Sequence, residues 1–196
     1  MDSLVKAMMD TVVGDNLDDN RRRHRETEEE ENLMKLLKSK EKVAKLHFYL
    51  HDALGGGDGT ATVWEVARAS ITATSATGFG QVRVVDSLIT VTPDINSEKL
   101  GKAQGMITFT GLDDPALSMN LNFHITAGEF SGSSLCVVGR IPASSTNREL
   151  PVVGGTGVFR MARGYTISNT YSFDITKNYG VLEYTAYVAY PNNARD

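Results

Sequence analysis

The sequence predicts an all-β fold, an eight-stranded antiparallel β-barrel that follows an N-terminal helical or disordered extension. Short runs in which apolar and polar residues alternate, as they do in half-buried strands, recur over residues 45–190. Only one stretch, before residue 45, has the spacing of an amphipathic helix. Because a chain of 196 residues, 41% of them hydrophobic, can bury one sizeable core, we expect one barrel domain.

The N-terminal extension divides into a tail and a helix. Residues 1–26 are polar and strongly charged toward their end, and we predict that they form a disordered tail. Residues 27–44 begin with a capping box, from Thr27 to Glu30, and continue with apolar residues at helical spacing. This pattern predicts an amphipathic helix that docks its narrow apolar stripe on the main domain or contacts a partner.

The first predicted strand carries a carboxylate toward the barrel interior. In residues 45–52, Leu46, Phe48 and Leu50 share one face, and Asp52 falls on that face at the end of the strand. The other predicted strands are residues 61–69, 81–91, 102–110, 117–126, 133–140, 157–162, 165–173 and 180–190, before a C-terminal tail at 191–196. Within residues 117–126 apolar side chains alternate with asparagine and histidine, as in a strand with one dry face.

A glycine-rich run at residues 148–164 predicts close backbone packing. Gly154, Gly155 and Gly157 lie between an apolar segment and a strand-like exit, where glycine allows another strand to approach closely. The run lacks the Lys-Ser/Thr ending and the following helix of a phosphate-binding loop. We therefore expect a structural role for these glycines.

Composition and motif content exclude several classes of function. A net charge of −4, from 20 basic and 24 acidic residues, offers no footprint for nucleic acid. The single cysteine rules out an intrachain disulfide and a multi-cysteine metal site, and the four histidines lack the spacing of a metal centre. No run approaches the roughly 18 apolar residues of a membrane span. We expect no metal or cofactor. The sequence contains no motif that identifies a catalytic nucleophile.

A barrel of about eight strands has room inside for side chains or for one small ligand. The residues that we expect the barrel to place there are Asp52, Asp86, Arg148 and Thr170, beside the aromatic residues Phe109 and Tyr184. A buried carboxylate and a guanidinium facing an apolar cavity could hold phenolic or carbonyl oxygens, or shift each other's pKa toward acid–base chemistry. The alternative, which spacing alone leaves open, is a structural ion pair or a solvent-exposed rim.

Several motifs together resemble the plant dirigent family. They are Phe-Tyr-Leu-His-Asp at residues 48–52, Gly-Gln-Val at 80–82, Asp-Ser-Leu-Ile-Thr at 86–90, Gly-Lys-Ala-Gln-Gly at 101–105, Gly-Ser-Ser-Leu at 132–135, Gly-Arg at 139–140, the glycine-rich run at 148–164, and the Glu-Tyr and Tyr-Val pairs at 183–184 and 187–188. The resemblance covers residues 45–190 in the family's order. Only the N-terminal segment and the last few residues lie outside it.

The resemblance implies an eight-stranded barrel related to allene oxide cyclases, assembled as a homotrimer with one cavity per subunit. Dirigent proteins direct the stereochemistry of phenoxy-radical coupling in lignan biosynthesis, using phenylpropanoid radicals made by a separate oxidase, a laccase or peroxidase. Some members instead act as cyclases or dehydratases on quinone methides, as in pterocarpan formation. A third possibility is a binding module in defence that holds a small aromatic ligand unchanged. None of these functions requires a cofactor or metal.

The resemblance also assigns roles to single residues. Asp52 matches the family's cavity aspartate, Arg148 the arginine before the glycine-rich run, and Thr170 a pocket hydroxyl. We expect Asp52 to act as an acid–base or phenol-binding group and Arg148 to donate to developing negative charge. The chain departs from the lignan-forming pattern where Arg140 follows Gly139 in place of an aspartate, and where isoleucine replaces a common tyrosine at position 107.

The cellular location is predicted from the N-terminus. Its short apolar stretch is interrupted by Lys6 and Asp10 and has no small-residue cleavage site, unlike a secretory signal peptide. This predicts a cytoplasmic protein. The alternative is secretion to the apoplast, which is usual for the family that the chain resembles.

Overall fold

The computed structural model describes residue 28 and residues 30–55 and 60–192. The predicted tail at residues 1–26 lies outside this part of the chain. Of the C-terminal tail predicted at residues 191–196, residues 193–196 also lie outside it, whereas Pro191 is the last residue of a strand. The chain divides between Ser39 and Lys40 into two units. In the first unit, residues 30–38 form a helix, α1, after which the side chain of Ser39 donates a hydrogen bond to the carbonyl of Leu36 at 2.9 Å.

The prediction of a helix as far as residue 44 is wrong at its end, because β1 begins at Glu41. Residues 41–44 pair with the last strand of the chain, in the register Glu41↔Pro191 to Ala44↔Val188. Backbone partners almost 150 positions away thus override the helical spacing of these four residues. The local pattern holds no sign of that partner.

The described residues of the second unit, 40–55 and 60–192, contain nine strands. Their bounds are β1 Glu41–Ala53, β2 Val63–Ala67, β3 Val82–Thr90, β4 Lys99–Phe109, β5 Ala116–Ile125, β6 Ser134–Pro142, β7 Arg148–Thr156, β8 Arg163–Asp174 and β9 Tyr179–Pro191. Short 3₁₀ turns lie at Thr72–Thr74 and Gly157–Phe159. All pairings between named strands are antiparallel.

The sheet closes on itself through β3. Consecutive strands pair from β3 to β9, β9 pairs with β1, and β1 returns to pair with the second half of β3 through Leu50↔Ile89. The strand β2 lies beside the first half of β3, in the register Val63↔Val85. The predicted eight-stranded antiparallel barrel is confirmed, with β2 as one extra strand.

Residues 148–156 of the glycine-rich run form β7. The strand predicted at residues 157–162 is wrong, because these residues form a 3₁₀ turn followed by a second turn between β7 and β8. The expected close packing is found at Gly155, where an added Cβ would lie 2.2 Å from the carbonyl oxygen of Ser134 on β6. No side chain fits there, so glycine is required inside a paired strand.

Aromatic side chains fill the middle of the barrel. Phe48 stacks on Tyr184 with ring centroids 5.6 Å apart, and Phe123 meets both rings edge-on at 5.1 and 5.3 Å. All three side chains are buried in the core. We call these three residues the aromatic plug. The alternation predicted for β5 is confirmed, since Leu121 and Phe123 are buried while His124 is exposed. The plug leaves a cavity at the end toward which Asp52 lies, and Phe48 and Phe123 also line a second, apolar cavity of about 220 Å³ with Leu46, Leu100 and Leu135.

Candidate functional site

The cavity that Asp52 lines has a volume of about 180 Å³. Its wall is mainly leucine, valine, isoleucine and methionine side chains, which exclude water from most of its surface. The polar groups that reach it come from four strands, with Asp52 on β1, Arg83 on β3, Arg148 on β7 and Tyr184 on β9. An apolar pocket with a few converging polar groups is the usual form of a small-molecule site.

Asp52 is a buried acid without a cation beside it. The alternation that buries Phe48 and Leu50 also turns Asp52 inward, and its Oδ1 accepts a 2.6 Å hydrogen bond from the hydroxyl of Ser87. Burial raises the pKa of the Asp52 carboxyl, and the hydrogen bond from Ser87 opposes this rise only in part. The carboxyl therefore holds its proton to higher pH than an exposed aspartate and can donate it to a ligand.

Arg148 lies at the mouth of the cavity and is held by Thr170. Both Nη atoms of the guanidinium donate to the Thr170 hydroxyl oxygen at 3.1 Å. The side chain of Thr170 lies on the exposed rim. Between Asp52 and Arg148, both of them within the described residues, no ion pair forms. The structural ion pair left open by the sequence is therefore absent, while Thr170 belongs to the rim.

Tyr184 and Phe109 complete the predicted set of cavity residues. Tyr184 is 1% exposed, and burial together with the charge of Asp52 raises the pKa of its phenol to about 12, against a hydrogen bond with Ser168 and the charge of Arg148. The phenol thus stays protonated as a hydrogen-bond donor at the cavity floor. Phe109 forms part of the wall near the mouth.

The matched family model is that of dirigent-like proteins, over residues 43–189. The chain belongs to the dirigent family. It is 44% identical to dirigent protein 21 of Arabidopsis thaliana over 148 residues, which cover 76% of this chain and 77% of that protein. It is 38% identical to pterocarpan synthase 1 of Glycyrrhiza echinata over 149 residues, 76% of this chain and 78% of the relative.

A solved structure agrees with this assignment. The pterocarpan synthase dirigent protein GePTS1 superposes with a TM-score of 0.72 at 37% identity, over 79% of this chain and 93% of that one. The dirigent barrel is therefore shared with the relative over most of the second unit. The identity of this chain's own ligand is a separate question, which the cavity residues address.

The prediction that Asp86 binds substrate in the cavity is wrong. On β3 the side chains of Val85 and Ser87 are buried, so Asp86 points outward. Its carboxylate accepts hydrogen bonds from Lys102 at 3.0 Å and from Gln104 at 3.1 Å on the outer face of β4. Alternation along β3 could have shown this, because a residue between two inward-facing neighbours must face outward.

Two residues at or beside the cavity, Ser87 and Arg83, were not among the residues predicted from the sequence. Ser87 holds the Asp52 carboxyl, and Arg83 lines the cavity two residues before Val85. Both residues lie two positions from Val85, so the alternation that buries Val85 also predicts that Ser87 and Arg83 face inward. Arg83 was nevertheless not predicted, because the rest of this strand face is not charged.

The two departures from the lignan-forming pattern differ in location. Arg140 is exposed on the outer face of β6 and pairs with Asp114. Ile107 lines the cavity and makes that part of its wall apolar.

Within residues 28, 30–55 and 60–192, no group of three or more histidine, cysteine, aspartate or glutamate side chains is arranged to hold a metal ion. No helix among these residues is long and apolar enough to cross a membrane.

Proposed function

We propose that this dirigent protein binds one aromatic ring of a phenylpropanoid radical in its cavity and directs the stereochemistry of phenoxy-radical coupling, as in lignan formation. The observation that carries the proposal is an apolar cavity of about 180 Å³ with four polar groups at fixed positions. An apolar cavity of about 150 Å³ is enough to hold a benzene molecule. The cavity therefore suits one ring, with the ring's substituents directed toward the mouth.

Orientation is the mechanism that this geometry supports. Tyr184 at the floor and Arg148 at the mouth offer hydrogen-bond donors to oxygens on opposite ends of a phenolic guest. A guest held at both ends exposes one face to its coupling partner, and a difference of about 1.4 kcal/mol between competing transition states already gives a tenfold bias. The apolar wall keeps water away from the reactive carbon.

The test is the chirality of the coupling product. Coniferyl alcohol is oxidised by a laccase with and without the purified protein, and the enantiomers of the product are separated on a chiral column. We expect an enantiomeric excess that Arg148→Gln diminishes and that Asp86→Asn, on the outer face, leaves unchanged. A racemic product in both reactions would reject coupling of this substrate.

A second candidate, a cyclase or dehydratase acting on a quinone-methide-type intermediate, is favoured by the raised pKa of Asp52. A protonated Asp52 can give its proton to a benzylic hydroxyl, which leaves as water while the substrate's phenol loses its own proton to form the quinone methide. That phenolic proton restores the acid. Two of the similar proteins are named pterocarpan synthases, at 38% identity each.

A reaction without oxidase distinguishes the two candidate functions, stereo-directing protein and dehydratase. A dehydratase converts a hydroxylated isoflavan-type alcohol on its own, and Asp52→Asn abolishes this conversion because the amide cannot donate the same proton. A stereo-directing protein gives no product until an oxidase is added. Recovery of unchanged ligand under both conditions would instead favour a binding module, as in a defence role.

We also propose that the protein works as a homotrimer and receives its radicals from a separate laccase or peroxidase. The support is membership of the dirigent family, for which the sequence resemblance implies this assembly. Light scattering coupled to size-exclusion chromatography measures the mass directly. A monomer at micromolar concentration would contradict the trimer without affecting the proposed role of the cavity.

A further inference from the structure

The cavity contains a second guanidinium, that of Arg83. Its Cζ lies 4.8 Å from the centroid of the Phe109 ring, and its Nε donates to the side-chain oxygen of Gln81 at 2.9 Å. Its two Nη groups donate to no residue of the described part of the chain. The forked end of Arg83 is thus fixed in position by stacking and by one hydrogen bond, with its donors unused at the cavity wall.

No carboxylate in the cavity neutralises this charge. Glu65, whose charge opposes the lowering of the Arg83 pKa by burial, already pairs with Arg68 and accepts a hydrogen bond from Gln81. Burial raises the pKa of Asp52, which favours its neutral form. Burial also lowers the pKa of Arg83, but a guanidinium stays protonated in proteins. The cavity therefore holds two cationic groups, Arg83 and Arg148, and one acid biased toward its uncharged state.

We propose that the cavity selects an aromatic ligand that carries a carboxylate, and that Arg83 is the residue that binds this carboxylate. The inference rests on the proposed function and specifies its substrate class, an arylpropenoic acid in place of a neutral alcohol. A planar guanidinium with two free parallel donors matches a carboxylate in a two-point hydrogen bond. The ring of the ligand then lies in the apolar part of the cavity, below the Arg83–Phe109 stack.

Three probes with nearly the same shape test the proposal. Ferulic acid carries a carboxylate, its methyl ester hides that charge, and coniferyl alcohol has a primary alcohol at the same position. Titration calorimetry at pH 7 gives the affinity of each. We expect the acid to bind about ten- to a hundredfold more tightly than the ester, because hydrogen bonds to a charged group are the stronger kind.

Two variants and one control show whether Arg83 is responsible. Arg83→Gln removes the charge, and we expect the preference for acid over ester to fall to about onefold, while Arg83→Lys keeps the charge without the fork and retains part of the preference. Arg140→Gln removes the same charge from the outer face of β6 and should keep the full preference. Thermal melts of each variant establish that the barrel is folded.

The outcomes distinguish this inference from the function on which it rests. Equal affinities for acid and ester in the wild type overturn the inference, and so does a preference that survives Arg83→Gln. An enantiomeric excess with coniferyl alcohol in that case leaves the proposed function standing. If none of the three probes binds and coupling stays racemic, both are rejected.

Discussion

Replacing Tyr184 with phenylalanine should make the barrel less sensitive to alkaline pH. The phenol of Tyr184 is buried at the cavity floor, and its pKa is raised from 10.0 to about 12. Above pH 10 the unfolded chain loses this proton while the folded chain keeps it. The contribution of the phenol to stability is therefore fully present below pH 10 and is lost as the pH rises through 12.

The size of the effect follows from the shift. Two pKa units correspond to ~2.7 kcal/mol over the whole window, and about half of it, ~1.4 kcal/mol, is lost by pH 11. At pH 8 the variant lacks the hydrogen bond with Ser168, which we expect to destabilise it by ~1 kcal/mol. The two effects have opposite signs. The variant is thus less stable than the wild type at pH 8 and equals or exceeds it near pH 11.

Urea unfolding measured from pH 8 to pH 11 tests this prediction. The other tyrosines and the lysines titrate in both proteins, so the difference in the free energy of unfolding isolates Tyr184. Absorbance near 295 nm follows formation of phenolate in the native state. A difference between the two proteins that stays constant with pH would refute the argument, because it would mean that Tyr184 reaches solvent.

Two further substitutions follow from the same structure, each with a matched control. The free energy of unfolding of the wild type should fall as the pH rises from about 4 through the raised pKa of the Asp52 carboxyl, because the fold favours the protonated form. Asp52→Asn should remove this fall. Asp52→Asn should also slow any conversion without oxidase by about 10²- to 10⁴-fold, the usual contribution of a general acid. Asp86→Asn, on the outer face, should change neither the pH dependence of stability nor the rate of conversion. Gly164→Ala places a Cβ 2.0 Å from a carbonyl oxygen of β9, and Gly154→Ala, at nearly the same φ of +156 against +155 degrees, meets nothing within 4 Å. Thermal melts should therefore show a loss for Gly164→Ala that exceeds the loss for Gly154→Ala by about 2 kcal/mol or more, and equal losses would contradict a role for backbone contact.

The architecture could be predicted from local alternation because the same pattern sets which face of each strand is dry. The alternation of Phe48 and Leu50 correctly predicts that Asp52 faces inward. Alternation does not predict the environment of a residue whose partners are distant in sequence. The alternation of β1 places His51 on the face opposite Leu50, yet His51 is 2% exposed, and Thr90 and Tyr179 each hydrogen-bond its ring at 2.7 Å. Those partners lie 39 and 128 positions away, beyond the reach of periodicity.

The sequence predicted which residues are near the cavity better than it predicted the contacts among them. The resemblance pointed to Asp52, Arg148 and Thr170, and the structure brings Arg148 and Thr170 into contact while leaving Asp52 apart from both. Spacing along the chain cannot distinguish an ion pair from two separate groups, since the distance between side chains on β1 and β7 depends on the width of the barrel. Arg83 was not predicted as a cavity residue for a related reason. An inward-facing cation departs from the apolar pattern of its strand face, and only the structure shows the Phe109 ring on which it stacks.

The position of Tyr184 explains why the chemistry gathers at one end of the barrel. Its ring packs with Phe48 and Phe123 in the aromatic plug, while its hydroxyl meets Ser168 and its pKa responds to Asp52 and Arg148 in the cavity. One side chain thus belongs to both the apolar core and the polar site. If the plug lay one layer of side chains closer to the mouth, it would fill the cavity. If it lay one layer deeper, water would reach the cavity floor and weaken the hydrogen bonds there. The height of this plug therefore fixes both the size of the guest and the strength of its polar contacts.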